Sequence, residues 1–335
     1  MSKYQKYLAK KFVWYLVTFI VVLVLNFFLP RLIDGNPVDV IVGKMGSMGS
    51  TNSMKNIYDG FMKEFNLDKP VWEQFLLFVK GMLHGDLGTS FSRYPKKVSA
   101  IMAEAIPWTL ALQLPAIIVG WIIGNALGAI TAYRKGVFSK TVYSVSLFVN
   151  SIPYYAFAII MMYVLALNLG FFPAGGAYSN GLVPNLNLKF ILDVIQHHML
   201  PFLSIVLIMI GGQAMGMRSM AIYELNADYV LYAKLMGVPE RKIIGYVFRN
   251  AMLPQVSGLA LSLGTMVSGS LITEIVFNYP GLGYWLYLAI RQLDYPLISG
   301  CTLILSVTVL VANFLIDMVY GLIDPRIRAA QVEEG

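Results

Sequence analysis

Cysteine, histidine and charge are all scarce in this chain. Its 335 residues hold one cysteine, Cys301, and three histidines, His84, His197 and His198. A single thiol excludes an internal disulfide and a cysteine metal cluster, and so few imidazoles leave little for zinc. Asp, Glu, Lys and Arg make up 13% of the residues, against roughly 25% in a soluble domain. A chain so short of charge cannot cover a globule with solvated groups. Two chemical motifs are missing as well: a phosphate-cradling Gly-x-x-x-x-Gly-Lys-Ser/Thr loop and a His-Glu-x-x-His zinc helix. What is present is apolar. Hydrophobic residues make up 57% of the chain, and mean hydropathy is +0.66. That excess surface requires lipid. It excludes a disordered chain, a disulfide-built secreted domain and an ordinary cytosolic enzyme. The net charge of +7 reads as basic loops beside a membrane, not as a nucleic-acid surface.

A bilayer core of about 30 Å needs roughly 20 apolar residues of helix. Six stretches qualify: Phe12 to Leu29, Trp108 to Ala132, Val142 to Leu167, Leu200 to Tyr223, Met252 to Phe277 and Leu297 to Leu322. The first is too long for a signal-peptide core, and Pro30-Arg31-Leu32 follows it where a cleavage site would need small residues. It is expected to remain as an anchor. Basic residues in the short loops set the orientation. Lys3, Lys6, Lys10 and Lys11, then Arg134, Lys135 and Lys140, then Lys234, Arg241, Lys242 and Arg249, then Arg326 and Arg328 fall on one side of a six-span chain. The short loops of the other side hold only Lys189 and Arg291. Both termini are therefore expected in the cytoplasm.

The expected organisation is an all-α membrane protein in four parts. Residues 1–30 are a cytoplasmic tail and first span, and 31–106 an external segment with an amphipathic helix. Residues 107–324 are a five-helix core holding a cytoplasmic loop at 224–251, and 325–335 a cytoplasmic tail. Within the external segment, Gly43 to Ser53 is rich in Gly, Ser and Met and reads as a loop. Pro70 suits the first position of a helix running to Leu83. Trp72, Phe75, Leu76, Val79, Met82 and Leu83 recur there at helical spacing. That face either packs on the membrane or the spans, or forms a ledge for an external partner. Gly85 to Ser90 reads as a turn.

The most informative stretch is the loop from Asn226 to Pro239. Asn226 or Asp228 is suited to cap a short helix by accepting its orphan backbone N–H bonds. Gly237 suits the left-handed residue that ends it, and Pro239 starts the next helix. Tyr229, Tyr232, Ala233 and Met236, spaced i, i+3, i+4 and i+7, are expected on one face, with small Ala233 allowing close approach. Such a helix either lies on lipid or enters a groove on a partner.

This loop, closed by Arg249-Asn250-Ala251-Met252-Leu253-Pro254, resembles the coupling loop of permease subunits of binding-protein-dependent ABC importers. The likeness runs over nearly the whole chain, and within the family it is to the oligopeptide/dipeptide/nickel branch. Phe65 to Pro70, Gly85 to Ser90, Glu274 to Phe277 with Pro280-Gly281-Leu282-Gly283, Asp294-Tyr295-Pro296 and Asp324 to Arg328 are similar to signatures of that branch in order and spacing. Gly35-Asn36-Pro37 stands where Gly-Asp-Pro is common, and basic residues usual near Leu231 and Leu235 or Met236 are missing. The resemblance implies a type I importer fold in the cell (inner) membrane and a second, homologous permease. It also implies two cytoplasmic ATPase subunits that bind ATP and Mg, and an external solute-binding protein. The permease itself would carry no cofactor and no catalytic group. The coupling role would fall on Asp228, Tyr229, Ala233, Lys234, Gly237 and Pro239. The branch favours peptides, with oligosaccharides and nickel complexes behind them.

Polar groups inside the spans complete the reading. Arg218 and Asp317 lie at similar depth near the cytoplasmic ends of spans four and six. They either pair or find other partners in the bundle. Glu274, near the outer end of span five, either lines an external gate or bonds neighbouring helices. Tyr154, Tyr155 and Phe157 follow Ser151-Ile152-Pro153, where proline can kink span three. They either line a path for a bulky solute or pack. Gly120, Gly124 and Gly128 recur every four residues, a spacing that lets helices approach closely. His197 and His198 are adjacent on a helix and so point about 100° apart, which does not suit one metal. Two rival classes lack their signatures. A single-chain secondary transporter would show paired, broken spans in matching halves, and an intramembrane enzyme would show a catalytic set within the spans.

Overall fold

The structure is a computed structural model that describes residues 3–45, 51–134, 136–185, 187–269 and 271–323. Thirteen α-helices and no strand occur among the described residues. The first five are α1 (Lys3–Phe28), α2 (Pro37–Met45), α3 (Thr51–Glu64), α4 (Val71–Leu83) and α5 (Val98–Tyr133). Next come α6 (Val137–Ser151), α7 (Tyr154–Met161), α8 (Leu188–Leu225) and α9 (Asp228–Leu235). The last four are α10 (Glu240–Gly269), α11 (Leu271–Val276), α12 (Leu282–Arg291) and α13 (Tyr295–Ile323). Four helical stretches are long and apolar enough to cross a bilayer: Tyr7–Leu32, Val98–Tyr133, Leu188–Leu225 and Tyr295–Leu315. They coincide with the first, second, fourth and sixth expected spans.

The third expected span is not one rod. α6 and α7, with the π-helical turns Met162–Asn168 that continue α7, form a pair bent by 101°. Pro153 has no N–H to give and drives Ile152 to an extended ψ of 129°. Counted as one span, the pair makes a fifth. The fifth expected span is helical, in α10 and α11, yet does not reach the same apolar standard among the described residues. Pro254, Gln255, Ser257 and Gly258 dilute it.

Among the described residues, those from 3 to 109 with 280–310 form one compact unit. α1 leaves Phe12, Val13, Trp14, Ile20 and Val21 exposed along its length, as lipid-facing residues should be. At its far end Phe27 is buried, with its ring 5.2 Å from Phe75 and 5.5 Å from Phe78 of α4. Arg31 lies over Phe27 at 3.6 Å and donates to the Phe27 carbonyl at 2.8 Å. Asp294 is fully buried and caps α13 by accepting from the Leu297 N–H at 3.2 Å. The same carboxylate accepts from Ser90 Oγ at 2.5 Å, Ser92 N at 2.9 Å and Ser92 Oγ at 2.7 Å. Asp294 thus pins the loop that follows Gly85.

Two local expectations in this unit are corrected. Gly43 to Ser53 is not simply a loop: Gly43 to Met45 end α2 and Thr51 to Ser53 begin α3, while residues 46–50 lie outside the described residues. Asn36 supports α2 by accepting from Val38 N at 2.9 Å, a cap that Gly/Ser-based reading overlooks. The second correction concerns α4, which starts at Val71 with Pro70 as its cap. It faces inward through Phe75, Phe78, Val79 and Met82, while Trp72, Leu76 and Leu83 are exposed. Stacking on Phe27 and Phe28 sets that face.

Among the described residues, 110–279 with 311–323 form the second unit. α8 is its central post and packs against α6, α7 and α10. α5 crosses α8 on its glycine row. A Cβ on Gly120 would meet Met209 at 2.6 Å, one on Gly124 would meet Gln213 at 2.6 Å, and one on Gly128 would meet the Ala214 carbonyl at 2.5 Å. No side chain fits at those distances, so the spacing expected to permit close packing does so here.

Candidate functional site

The loop between α8 and α10 folds as the short helix α9. Ala227, at φ −74° and ψ 148°, is its N-cap residue, and no side chain caps it. This corrects the expectation for Asn226 and Asp228. Asn226 turns back and donates from Nδ2 to the Ile222 carbonyl at 2.9 Å. Asp228 is instead the first helical residue, where its negative charge faces the positive end of the helix dipole. Lys234 sits in the last turn, its charge matched to the other end.

The stop is a Schellman motif. The Val238 N–H donates to the Ala233 carbonyl at 3.0 Å and the Gly237 N–H to the Lys234 carbonyl at 3.0 Å. Gly237 has φ +74° with open space around its α-carbon, so glycine is required by backbone angle and not by crowding. Pro239 follows and accepts from the N–H groups of Lys242 and Ile243 as α10 begins. All six residues assigned to coupling by resemblance are thus within or directly after α9.

The helix has two unlike faces, and they are not those of the expected stripe. Val230 is fully buried in a cluster with Met217 and Ala221 of α8 and Ile243, Val247 and Ala251 of α10. Tyr229, Ala233 and Val238 pack against the same cluster. Ala233 therefore gives close approach to this chain's own helices, a correction to its expected outward role. The Tyr229 hydroxyl donates to Glu224 Oε2 at 2.7 Å, and Asn250 Nδ2 donates to the same oxygen at 3.4 Å. Burial, and then that bond to the carboxylate, push the Tyr229 phenol above its ordinary value. The opposite face is apolar and open. Leu231, Tyr232, Leu235 and Met236 are exposed, the last two at 75% and 79%. Val230 and Glu224 escaped the sequence reading, which named Leu231 and Leu235 only as positions where basic residues are missing.

The membrane-embedded candidates are placed as follows. Arg218 donates to the Thr131 carbonyl and, at 2.7 Å, to Ser139 Oγ, with its guanidinium 5.1 Å from the Tyr143 ring. The Asp317 side chain lies outside the described residues. Glu274 is fully buried, with Gln113 Nε2 3.4 Å from its Oε1. Tyr154 and Phe157 are half-buried and Tyr155 is exposed, the two tyrosine rings meeting edge to face at 6.0 Å. His197 Nδ1 lies 2.8 Å from the Asp193 carbonyl and His198 Nδ1 2.8 Å from the Tyr279 hydroxyl, so the two rings turn to different partners. No group of three metal-ligating side chains occurs among the described residues.

Known proteins share this arrangement of sequence. Residues 124–329, which include the glycine row's last members and the whole α8–α9–α10 loop, match the family described as binding-protein-dependent transport system inner membrane component. The chain is 30% identical over 333 residues to the dipeptide transport system permease protein DppB of Escherichia coli K12, covering 93% of this chain and 95% of that protein. It is 31% identical over 337 residues to the di/tripeptide transport system permease protein DppB of Pseudomonas aeruginosa, covering 96% and 98%. It is 31% identical over 309 residues to the oligopeptide transport system permease protein AppB of Bacillus subtilis, covering 91% and 93%. An all-helical chain with several bilayer-length apolar helices, matched over more than half its length by the family and over nearly all of it by such relatives, belongs to the inner membrane components of binding-protein-dependent transport systems.

Proposed function

We propose that this chain is a permease subunit of an ATP-driven ABC importer and forms half of a translocation path for peptides. Peptides stand before oligosaccharides and nickel complexes because the relatives above are named for dipeptide, di/tripeptide and oligopeptide transport. In this reading the chain crosses the inner membrane six times with both termini in the cytoplasm, α10 with α11 being the fifth crossing and α13 the sixth. A second homologous permease completes the path, an external solute-binding protein delivers the solute, and two ATPase subunits bind ATP and Mg beneath. The chain itself performs no chemistry and holds no cofactor.

One observation carries the coupling assignment: α9 is fixed at both ends and along one side. A helix clamped to α8 and α10 moves with them, so a push on its open face tilts two long helices together. Asp228, Lys234 and the open face of Leu231, Tyr232, Leu235 and Met236 would meet the ATPase. Tyr229, Ala233, Gly237 and Pro239 would hold the lever stiff. With no basic residue at Leu231 or Leu235, that contact rests on apolar burial. Glu274, Tyr154, Tyr155 and Phe157 are the candidates for the path or its gate, and an Arg218–Asp317 pair the candidate ion pair.

The test is affinity purification from native membranes in mild detergent. Wild-type chain is expected to bring down a second permease and Walker-type ATPases. Tyr232→Asp combined with Leu235→Asp should reduce ATPase recovery at least about tenfold, since two apolar anchors are lost from a short interface. The second permease should still be recovered. Absence of any ATPase from the wild-type preparation would overturn the assignment.

A further inference from the structure

A slot of about 700 Å³ opens between α5 and α10, within the volume range of small-ligand sites. Its walls are apolar: Ile122, Ala126 and Ile130 from α5, Ile244, Phe248 and Met252 from α10. It is closed at each end by a bond between the two helices. At the deep end Trp121 Nε1 donates to the Gln255 carbonyl at 2.9 Å. At the other end the Tyr133 hydroxyl donates to Glu240. From Trp121 to Tyr133 is about 18 Å of helix, close to the depth of one leaflet, half of a bilayer core of about 30 Å.

Two cations stand at the mouth. Arg134 and Arg241 both line the slot beside Tyr133, and both are exposed. Among the described residues neither guanidinium has a carboxylate partner, and the nearby Glu240 carboxylate is engaged by Tyr133. A solute path for peptides would need polar walls along its length, which this slot lacks. A helix of a partner would cross the whole bilayer, whereas the slot ends at Trp121.

We infer that the slot holds an acyl chain of an acidic phospholipid, with its phosphate between Arg134 and Arg241. The inference rests on the orientation proposed above, which puts this mouth on the cytoplasmic side, where basic pockets between helices collect acidic headgroups. The slot also shares a wall with the seat of α9. Ala129 and Ile244 line the slot, while Ala129 and Ile243 pack in the cluster under Val230. A lipid seated there would stiffen the base of the lever.

The experiment uses the intact assembly, exchanged into phosphatidylcholine nanodiscs with and without phosphatidylglycerol, then released for native mass spectrometry. Wild type is expected to retain phosphatidylglycerol in preference to phosphatidylcholine. Arg134→Gln should lower that retention about fivefold, and adding Arg241→Gln about fivefold again. Ala126→Trp, which fills the slot and leaves both arginines, should lower it too. Equal retention of the two lipids, or unchanged retention in the double variant, would overturn the inference. So would cysteine cross-linking of Ile130→Cys to the second permease, because protein would then occupy the slot. Loss of the ATPases from a wild-type preparation that still retains the lipid would sink the importer reading and leave this one standing.

Discussion

α4 and α9 end in the same way and are held differently. In α4 the Gly85 N–H donates to the Met82 carbonyl at 3.0 Å and the Asp86 N–H to the Gly81 carbonyl at 2.9 Å. In α9 the corresponding bonds are Gly237 to Lys234 and Val238 to Ala233, both 3.0 Å. Each stop turns on a glycine at φ +74° with open space around it. The residue after that glycine makes the difference. Val238 drops into the apolar cluster beneath α9. Asp86 instead turns to polar neighbours, accepting from the Gly88 N–H at 3.1 Å and lying 3.5 Å from Lys97 Nζ. α4 contains no buried residue, whereas the shorter α9 buries Val230 completely. A helix of eight residues is too short to persist alone in water. α9 owes its stiffness to its mounting, the tighter of the two, as the proposed coupling role requires.

The largest effect should come from breaking that mounting outright. Val230→Asp puts an unpaired carboxylate into an apolar cluster, at a cost of about 3 kcal/mol or more. Solute-stimulated ATP hydrolysis by the assembly is expected to disappear while the long helices stay folded, which circular dichroism would register. The same change at exposed Trp72 of α4 should leave hydrolysis near wild type. Equal loss at both positions would mean that α9 is no more a lever than α4. The paired glycines come next. Gly237→Ala and Gly85→Ala each force an alanine into the left-handed region, at about 1–2 kcal/mol. Unfolding in mixed micelles should show similar losses for the two variants. Only Gly237→Ala should lower the ATP turnover that accompanies transport.

Much of this arrangement is readable from residue spacing, because it is local. The apolar runs of bilayer length, the glycine row at 120, 124 and 128, and the stop at Gly237 followed by Pro239 depend on neighbours within one or two turns. The misreadings have a common origin in partners far along the chain. Val230 is inward because α8 and α10 supply the pocket, and nothing in Asp228 to Leu235 marks which face they will cover. Asp294 reads as part of an Asp-Tyr-Pro string, but its partners Ser90 and Ser92 lie about two hundred residues earlier. Arg218 leaves its partner open in the sequence, between Asp317 and other groups of the bundle, and it bonds to the Thr131 carbonyl. The last carbonyls of any helix lack intrahelical donors, and Thr131 lies in the last turn of α5. That acceptor belongs to backbone position and has no signature in residue type. The bend at Pro153 lies between these cases: the proline is visible, but the angle depends on how α6 and α7 both pack against α8.

The smallest expected effects concern single polar fastenings. Tyr229→Phe removes the half-buried hydroxyl bonded to Glu224 and leaves that carboxylate with Asn250. A bond to a charged acceptor in such a setting is worth about 1–2 kcal/mol. Lys97→Ala removes the ammonium facing Asp86, where the two side chains are 61% and 52% exposed. Water screens such a pair, which should contribute less than about 0.5 kcal/mol. Mixed-micelle unfolding is expected to separate the two variants, and added salt should erase what little Lys97→Ala costs while leaving the Tyr229→Phe loss in place. If Lys97→Ala proved the costlier change, the stop of α4 would be the firmer one. The difference in mounting would then lie in the polar bonds of α4 and not in the apolar seat of α9.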